Sequence, residues 1–500
     1  MAKEKAPRGA PSSDPPAAGP PGPFATAVRS ARLALQHPLF DRPAVALVLM
    51  GVLFALSECA RLHFPYAYQY PTAAFGDLPA VWLLDRLHLQ SIIGLGPATA
   101  LALRSSLLLF LIDSLAVIAV ARRWPRARDA AAVAGGTVWA VAVAGWSFAA
   151  GMLVVAAVVH FGFRRLNSHL SMALTTALLV VAFKYFIRAR AYPGADFLAL
   201  AANAATQGSM ALGALRLIMY AFEASSVPRE ARSFLTVLAY SPLGLFLWPA
   251  DPPMTSYLMY AAPVARPALD RQGSRQLCRS GFKYLTLVCL VRVLAFFLPP
   301  GSSFPAAPVG VRLLGFLIAP AAYYLRISLT ADFAYGLSSL AGYHAADAFD
   351  APFLAENPVN FWQTWNIPVL SFLRRAFIFP VSMRRRSLMR SIIAGMTGAA
   401  IMHCVVAWLR IGPRLTPAIA LLQLRGQARF YAITAVILLI GAPFYQSQNT
   451  RKLPARIVLL VLTQCAMGWL LFGTIAEICP GVGGLPAPVK DVFAHLSSVF

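Results

Sequence analysis

Two polar side chains in this 500-residue chain, an amide and an imidazole, have types that could stabilise charge and transfer a proton. Asn366 ends the aromatic segment 360–366, and His403 follows the small and apolar residues 399–402. A neutral imidazole can take a proton from an alcohol, whereas an amide cannot act as a base but can donate or accept a hydrogen bond. His403 therefore has the chemistry of a general base, and Asn366 that of a residue which orients a reactant or stabilises a developing charge.

The composition of the chain is that of a membrane protein. Hydrophobic residues make up 58% of it and charged residues only 12%, whereas soluble domains carry about 25% charged residues. Strongly polar groups inside a membrane are expensive and usually have a function. The composition therefore strengthens the functional interpretation of Asn366 and His403.

Apolar runs long enough to cross a bilayer, about 20 residues each, recur along the whole chain. We therefore predict an all-α fold, a polytopic integral membrane protein with about eleven transmembrane helices. The predicted spans are Ala44–Cys59, Thr99–Ala121, Ala131–Phe161, Leu170–Ile187, Phe197–Phe222, Phe234–Trp248, Phe282–Leu298, Val311–Leu325, Ser391–Leu409, Phe430–Ala442 and Ile457–Phe472.

Basic residues are in large excess, with 43 lysines and arginines against 19 acidic residues. They cluster beside apolar runs, in the ranges 122–128, 164–165, 266–279 and 384–390. Such clusters are typical of the cytoplasmic loops of membrane proteins. Because no basic and aromatic module of the nucleic-acid-binding type accompanies them, we expect no nucleic-acid partner.

The chain divides into two predicted parts. Residues 1–36 are rich in Pro, Ala, Gly and Ser and predict a disordered tail, which its basic residues place in the cytoplasm. Residues 37–500 predict one multi-pass membrane domain. The Ala-, Pro- and Arg-rich composition, without a visible organelle signal, indicates the inner membrane of a bacterial cell.

The local sequence around Asn366 predicts a helix that starts and then breaks. Asn357 followed by Pro358 is a helix-start signal, because Asn caps free N–H groups and Pro is tolerated at the first helical position. Pro368 disfavours helical geometry at the residue before it and leaves the carbonyl of Thr364 without its usual donor. We therefore expect Asn366 to lie at a break.

The faces of the two helices predict what surrounds the polar residues. Trp362 and Asn366 are four residues apart, so a continuous helix places them on one face with Trp365 beside them. A break at membrane depth is tolerated where it is buried in protein or lines a cavity, which predicts a cavity beside Asn366.

The later helix places small residues on the face that carries the imidazole. Gly395 and Ala399 precede His403 at helical spacing, so either another helix packs closely there or a bound chain finds room. Many intramembrane histidines only make structural hydrogen bonds, so both interpretations of His403 stay open from these residues alone.

Five segments together resemble the membrane-bound O-acyltransferase (MBOAT) family in their order and spacing. They are Ala331–Leu337, Leu340–Tyr343, Phe349–Ala355, Phe361–Asn366 and Phe372–Arg374. The separation of 37 residues between Asn366 and His403 also resembles the family's arrangement, and residues 215–242 are similar to its core more weakly.

The resemblance implies transfer of an acyl group from a thioester, usually acyl-CoA, to a hydroxyl inside a tunnel through the membrane. Under it, His403 is the catalytic base, Asn366 is the second active-site residue, and the acyltransferase core is about residues 200–410. Acyl-CoA is then a co-substrate, and no bound cofactor, metal or covalent intermediate is expected.

The chain departs from the family in two places. Bacterial members that acylate cell-surface polymers tend to carry His where this chain has Asn366 and a basic residue where it has Gln363 and Thr364. The family's Gly-Leu-Trp-His approach to the histidine is replaced by 400–403, Ala-Ile-Met-His. The Asn form is closer to the lipid-modifying and wax-forming branches and favours a lipid or small alcohol as acceptor. O-acetylation of an exported polysaccharide, or a lipid transporter or scaffold without catalysis, are the alternatives.

Further residues near the motif are candidates for substrate binding. Arg374 and Arg375, together with the arginines 384–386, could hold the phosphates of CoA, or they could serve topology alone. Trp362 and Trp365 are the aromatic candidates. Membrane lipids are expected around the whole domain.

The remaining chemistry-bearing residues predict no further site. Asp347, Asp350 and Glu356 fit helix caps and loop solvation better than a carboxylate pair, because nothing places them on a common helical face. The six cysteines show no CxxC spacing and predict packing residues with neither a disulfide framework nor a zinc site.

Overall fold

A computed structural model describes residues 38–62, 112–144, 146–185, 213–224, 233–245, 266–297, 306–344, 347–350, 352, 355, 357–384, 387–411, 415–445 and 462–463. The predicted tail 1–36, Glu356 and nearly all of the predicted span Ile457–Phe472 lie outside these residues. So do the first parts of the predicted spans Thr99–Ala121 and Phe197–Phe222.

The described residues form helices and no strand, which confirms the all-α prediction. Short 3-10 turns occur at Pro38–Asp41, Pro125–Ala127 and Phe163–Arg165, and π-helical segments at Val158–Gly162 and Arg374–Ile378. The α-helices are α1 Pro43–Leu62, α2 112–123, α3 Arg128–Ala144, α4 Trp146–Ala157, α5 Ser168–Tyr185, α6 213–223, α7 Phe234–Tyr240, α8 Arg266–Phe297, α9 Val309–Leu340, α10 Pro358–Thr364, α11 Ile367–Leu373, α12 Phe379–Arg384, α13 Leu388–Ile411 and α14 Pro417–Tyr445.

Four helices of the described part are long and apolar enough to cross a membrane. They are α5, α8, α9 and the segment Leu388–Leu409 of α13. Helices α8 and α9 have 32 residues each, well beyond the runs Phe282–Leu298 and Val311–Leu325 predicted for them. These helices are compatible with a membrane protein, as the composition predicts.

Two of the predicted spans are not single helices. The run Ala131–Phe161 forms α3 and α4 and enters a π-helical turn. In the run Phe234–Trp248, α7 ends at Tyr240 and Ser241 is extended. Pro242 explains this end, since a proline disfavours helical geometry at the residue before it.

Helices α8 and α9 approach each other closely at two glycines. A Cβ atom on Gly273 would lie 2.8 Å from the carbonyl oxygen of Gly336, and a Cβ on Gly336 would lie 2.7 Å from Leu277. Small residues of this kind let helix backbones come together in a membrane. Helix α8 also packs against α1, where the rings of Phe54 and Tyr284 are 4.8 Å apart.

The arginines predicted as a loop cluster at 266–279 instead lie on the first half of α8. Arg271 and Arg275 pair with Asp41 at 3.2 and 2.8 Å, and Arg266 pairs with Asp270 at 3.2 Å. Because carboxylates neutralise these charges, the helix extends well past its apolar run.

Candidate functional site

Helix α10 begins as its sequence predicts. Asn357 precedes the helix in an extended conformation, and its side-chain oxygen accepts a hydrogen bond from the N–H of Asn360 at 2.8 Å. Pro358 occupies the first turn, where its missing N–H costs nothing. The start of the aromatic segment is therefore fixed by local chemistry.

The predicted break at Asn366 is confirmed. Helix α10 ends at Thr364, and α11 begins at Ile367. Between them Asn366 adopts the left-handed conformation, with φ 45° and ψ 59°, and among the described non-glycine residues it alone has a positive φ. Asn tolerates this conformation better than most residues because its short polar side chain can bond locally.

A short segment after α9, residues 347–350, supplies hydrogen bonds on both sides of the break. The carbonyl of Thr364, which Pro368 leaves without a helical donor, accepts the N–H of Asp350 at 2.9 Å. The N–H of Ile367 donates to the carbonyl of Ala348 at 2.8 Å. Residues 347–350 thus supply the backbone hydrogen bonds that the helix lacks at the break.

The prediction that Trp362 and Asn366 share a helical face is wrong, because the chain leaves helical geometry after Thr364. The two tryptophans consequently pack in different places. Trp362 lies 6.5 Å from Tyr431 between ring centroids, whereas Trp365 stacks on Phe361 at 5.2 Å. Trp365 belongs to an aromatic core, and Trp362 faces α14.

His403 lies on α13, with its ring 5.4 Å from the ring of Tyr431 on α14. The side chain is exposed, and neither ring nitrogen makes a hydrogen bond within the part of the chain that the structure describes. Tyr431 also contacts Trp362, so one tyrosine joins the aromatic segment to the histidine. The sequence interpretation missed Tyr431, whose only signal is its place as the second residue of the predicted span Phe430–Ala442.

Two buried polar atoms near the break lack hydrogen-bond partners among the described residues. They are the indole Nε1 of Trp362, a donor, and the side-chain Oδ1 of Asn366, an acceptor. Buried polar atoms in folded proteins nearly always have a partner, and exceptions often mark functional positions. The segment therefore offers one free donor and one free acceptor.

The small residues that precede His403 serve close packing. A Cβ on Gly395 would lie 3.0 Å from Ile378, and one on Gly398 would lie 2.5 Å from the ring of Phe377. Both neighbours belong to the π-helical segment Arg374–Ile378. Of the two interpretations of this face, the geometry favours helix packing at Gly395.

The two arginines that follow the motif have different environments. Arg375 forms an ion pair with Glu223 of α6 at 2.6 Å, and Glu223 is buried with its side chain 4% exposed. Arg374 is exposed. Arg375 therefore neutralises a buried carboxylate, and Arg374 is the more accessible of the two for an anionic ligand. Arg385 and Arg386 lie outside the described residues.

A cluster of charged side chains between α8 and α9 was missed by the sequence interpretation. Arg279 donates to both carboxylate oxygens of Asp332, at 2.7 and 2.6 Å, and to both of Asp347, at 3.0 and 2.6 Å. Lys283 pairs with Asp332 at 2.7 Å, and the amide of Gln276 donates to Asp347 at 3.2 Å. We call these five residues the charge cluster.

The assignment of Asp347 to loop solvation is wrong, since Arg279 joins it to a second carboxylate. Burial by itself raises the pKa of Asp347, but the hydrogen bonds and charge of Arg279 outweigh this effect and lower the pKa to about 2. The helical spacing of Gln276, Arg279 and Lys283, which places them on one face of α8, was the available signal.

Comparison with known proteins adds no relative. A scan of the chain against models of protein families finds no match, and a search of curated proteins finds none either. Among the described residues, no three His, Cys, Asp or Glu side chains converge to hold a metal ion. The chemistry that the site can perform is therefore inferred from its own residues.

Proposed function

We propose that this chain is a membrane-embedded O-acyltransferase of the MBOAT type, with about eleven spans in all. It transfers an acyl group from a thioester, acyl-CoA as co-substrate, to an acceptor hydroxyl, with His403 as general base. One observation carries the proposal: Tyr431 contacts both His403 and Trp362, so the two segments that the sequence singles out meet at one residue of α14.

A free donor and a free acceptor in this segment support an acceptor molecule with polar groups. His403 takes the hydroxyl proton as the oxygen attacks the thioester carbonyl. The resulting tetrahedral intermediate collapses, the thiolate of CoA leaves, and the imidazolium returns the proton to it. Because the hydroxyl has one proton, which goes to His403, Asn366 Oδ1 orients the acceptor through a second polar hydrogen, and Trp362 Nε1 donates to the developing oxyanion.

A lipid or small alcohol is the acceptor we favour over the sugar hydroxyl of an exported polysaccharide. Within the described part of the chain, His403 is exposed on a candidate span. A base exposed on a helix that is apolar enough to cross a membrane suits an acceptor that arrives from the bilayer. Arg374 is available to the phosphates of CoA, and we place the enzyme in a bacterial inner membrane with a cytoplasmic N-terminus.

The test uses purified protein in nanodiscs, radiolabelled acyl-CoA and a panel of lipids, alcohols and sugars. We expect His403→Ala to lower kcat at least about 100-fold, because general-base catalysis contributes roughly 10²- to 10⁴-fold. His344→Ala is the control, since His344 is an exposed histidine outside the site.

Equal product from the wild type and His403→Ala would remove the mechanism. If His403→Ala also kept the cellular function of the protein, a lipid transporter or scaffold without catalysis would replace the proposal.

A further inference from the structure

We infer that the charge cluster, through Asp347, holds the left-handed break at Asn366 in place, and that Arg279 and Asp347 are positioning residues for the candidate site. The inference rests on the proposed function for the role of Asn366 in catalysis. The mechanical part of it concerns only the backbone between α9 and α11.

The first step is the attachment of Asp347 to the helix pair. Arg279 on α8 makes paired hydrogen bonds to Asp332 on α9 and also binds Asp347, which follows α9. The cluster holds two cations and two carboxylates, so its formal charges balance. Charge-assisted bonds of this kind are about twice as strong as neutral ones. Asp347 is therefore fixed to two long helices although its side chain is 48% exposed.

The second step leads from Asp347 to the break. The next residue, Ala348, accepts the N–H of Ile367, and Asp350 donates its N–H to the carbonyl of Thr364. These two bonds lie on either side of Asn366 and satisfy an N–H and a carbonyl that the break and Pro368 leave without helical partners. Whatever fixes Asp347 therefore also fixes the backbone that bonds the break.

A third contact runs through aromatic side chains. The ammonium of Lys283, which pairs with Asp332, lies 5.7 Å from the ring centroid of Tyr324. Tyr324 contacts the ring of Phe349 at 5.7 Å, and Phe349 contacts Trp365 at 5.3 Å. The charge cluster thus reaches the break by its backbone and by its side chains.

Such support is needed because Asn366 has an unfavourable backbone conformation. A non-glycine residue keeps a left-handed conformation when its surroundings hold it there. Without the bonds from 348–350, Thr364 would lose the donor that replaces the missing N–H of Pro368. We expect the segment to relax towards other conformations when Asp347 is released.

The alternative is that the cluster only joins α8 to α9 and leaves the break unaffected. Hydrogen–deuterium exchange of single amides separates the two, because the N–H groups of Asp350 and Ile367 are the donors that support the break. In purified full-length protein, we expect Asp347→Asn to speed exchange at both amides at least about tenfold.

Arg279→Lys should change exchange in the same direction, since a single ammonium cannot make paired bonds to two carboxylates. Asp41→Asn is the matched control. Asp41 also pairs with two arginines of α8, Arg271 and Arg275, but makes no bond to the break. Unchanged exchange at Asp350 and Ile367 in Asp347→Asn, with the fold intact by thermal unfolding, would overturn the inference.

An activity measurement tests whether the charge cluster also positions the reactants for acyl transfer. If the wild type transfers acyl groups, Asp347→Asn should lower kcat about tenfold or more while KM for acyl-CoA changes less than about twofold, and Asp347→Glu should restore most of the rate. An inactive wild type would remove the proposed function and leave the exchange result standing. A rate unchanged in Asp347→Asn, despite faster exchange, would show that the break is held as inferred but does not position the reactants.

Discussion

At the scale of single residues, Asn366 has two separable properties, a side chain with a free oxygen and a backbone in the left-handed conformation. Glycine and alanine separate them. Glycine adopts positive φ without a steric penalty, whereas alanine does not. The pair of variants therefore asks which of the two properties the site uses.

We expect Asn366→Gly to fold as the wild type does and to lose about 100-fold in kcat, the usual cost of one transition-state hydrogen bond. Asn366→Ala should lose the same activity and be about 1 kcal/mol less stable than Asn366→Gly, because its Cβ opposes the left-handed conformation and glycine has none. Acyl transfer and thermal unfolding measure the two effects. Activity of Asn366→Gly within about threefold of wild type would show that the side chain takes no part in the reaction.

Residues whose role depends on near neighbours in sequence were predictable, and those that depend on distant partners were not. The cap at Asn357 and the break before Pro368 follow from side chains a few positions away. Tyr431 and the bond between Arg279 and Asp347 depend on how separate helices pack, and a single sequence does not contain that information. Asp347 therefore looked like an ordinary loop carboxylate.

At the scale of helices, the positions of helix ends also depend on distant partners that a single sequence does not show. The apolar runs located α8 and α9 but placed the start of α8 too late and the end of α9 too early, because the charged parts of both helices carry partners that the sequence does not reveal. Asp332 within α9 and Arg279 within α8 neutralise each other. A buried carboxylate with two cationic partners can continue a helix that hydropathy alone would end.

The close approach of α8 and α9 gives a prediction for helix packing. In Gly273→Ala the added Cβ would lie 2.8 Å from the carbonyl oxygen of Gly336. Because this oxygen belongs to the backbone, no side-chain rotation can relieve the clash. We expect a loss of about 1–3 kcal/mol, the usual cost of overpacking. Thermal unfolding in detergent measures it.

Gly310→Ala on α9 is the control for this variant, since a Cβ there has nothing within 4 Å. It should leave stability unchanged or raise it by up to about 1 kcal/mol, because alanine restricts the unfolded chain and favours the helix. A Gly273→Ala protein as stable as Gly310→Ala would mean that α8 and α9 can separate without cost.

At the scale of the whole molecule, the orientation of α8 connects the charge cluster to the membrane. The first half of α8 carries paired arginines, and its second half, 282–297, is mostly apolar, with Lys283 and Arg292 as its charged residues. If the second half crosses the bilayer, the charge cluster lies close to one membrane surface, and so do the segment 347–350 and the break that it bonds. The depth of the candidate site then follows from the depth of α8.

Cysteine labelling measures that depth. Cys289 is exposed midway along the apolar half of α8, whereas Cys278 and Cys404 are buried. With the other cysteines replaced by serine, we expect Cys289 in sealed vesicles not to react with a charged maleimide, because lipid excludes both the charged reagent and the water in which thiolates form. Cys278 should react only after unfolding.

Arg271→Cys is the positive control for the charged reagent, since this side chain is 59% exposed on the charged half of the same helix. In vesicles made permeable to the reagent, it should label rapidly while Cys289 does not. Equal labelling of both positions by the charged maleimide would place the whole of α8 in water. The charge cluster and the break at Asn366 would then lie outside the bilayer, and an acceptor that reaches His403 from the lipid would no longer fit.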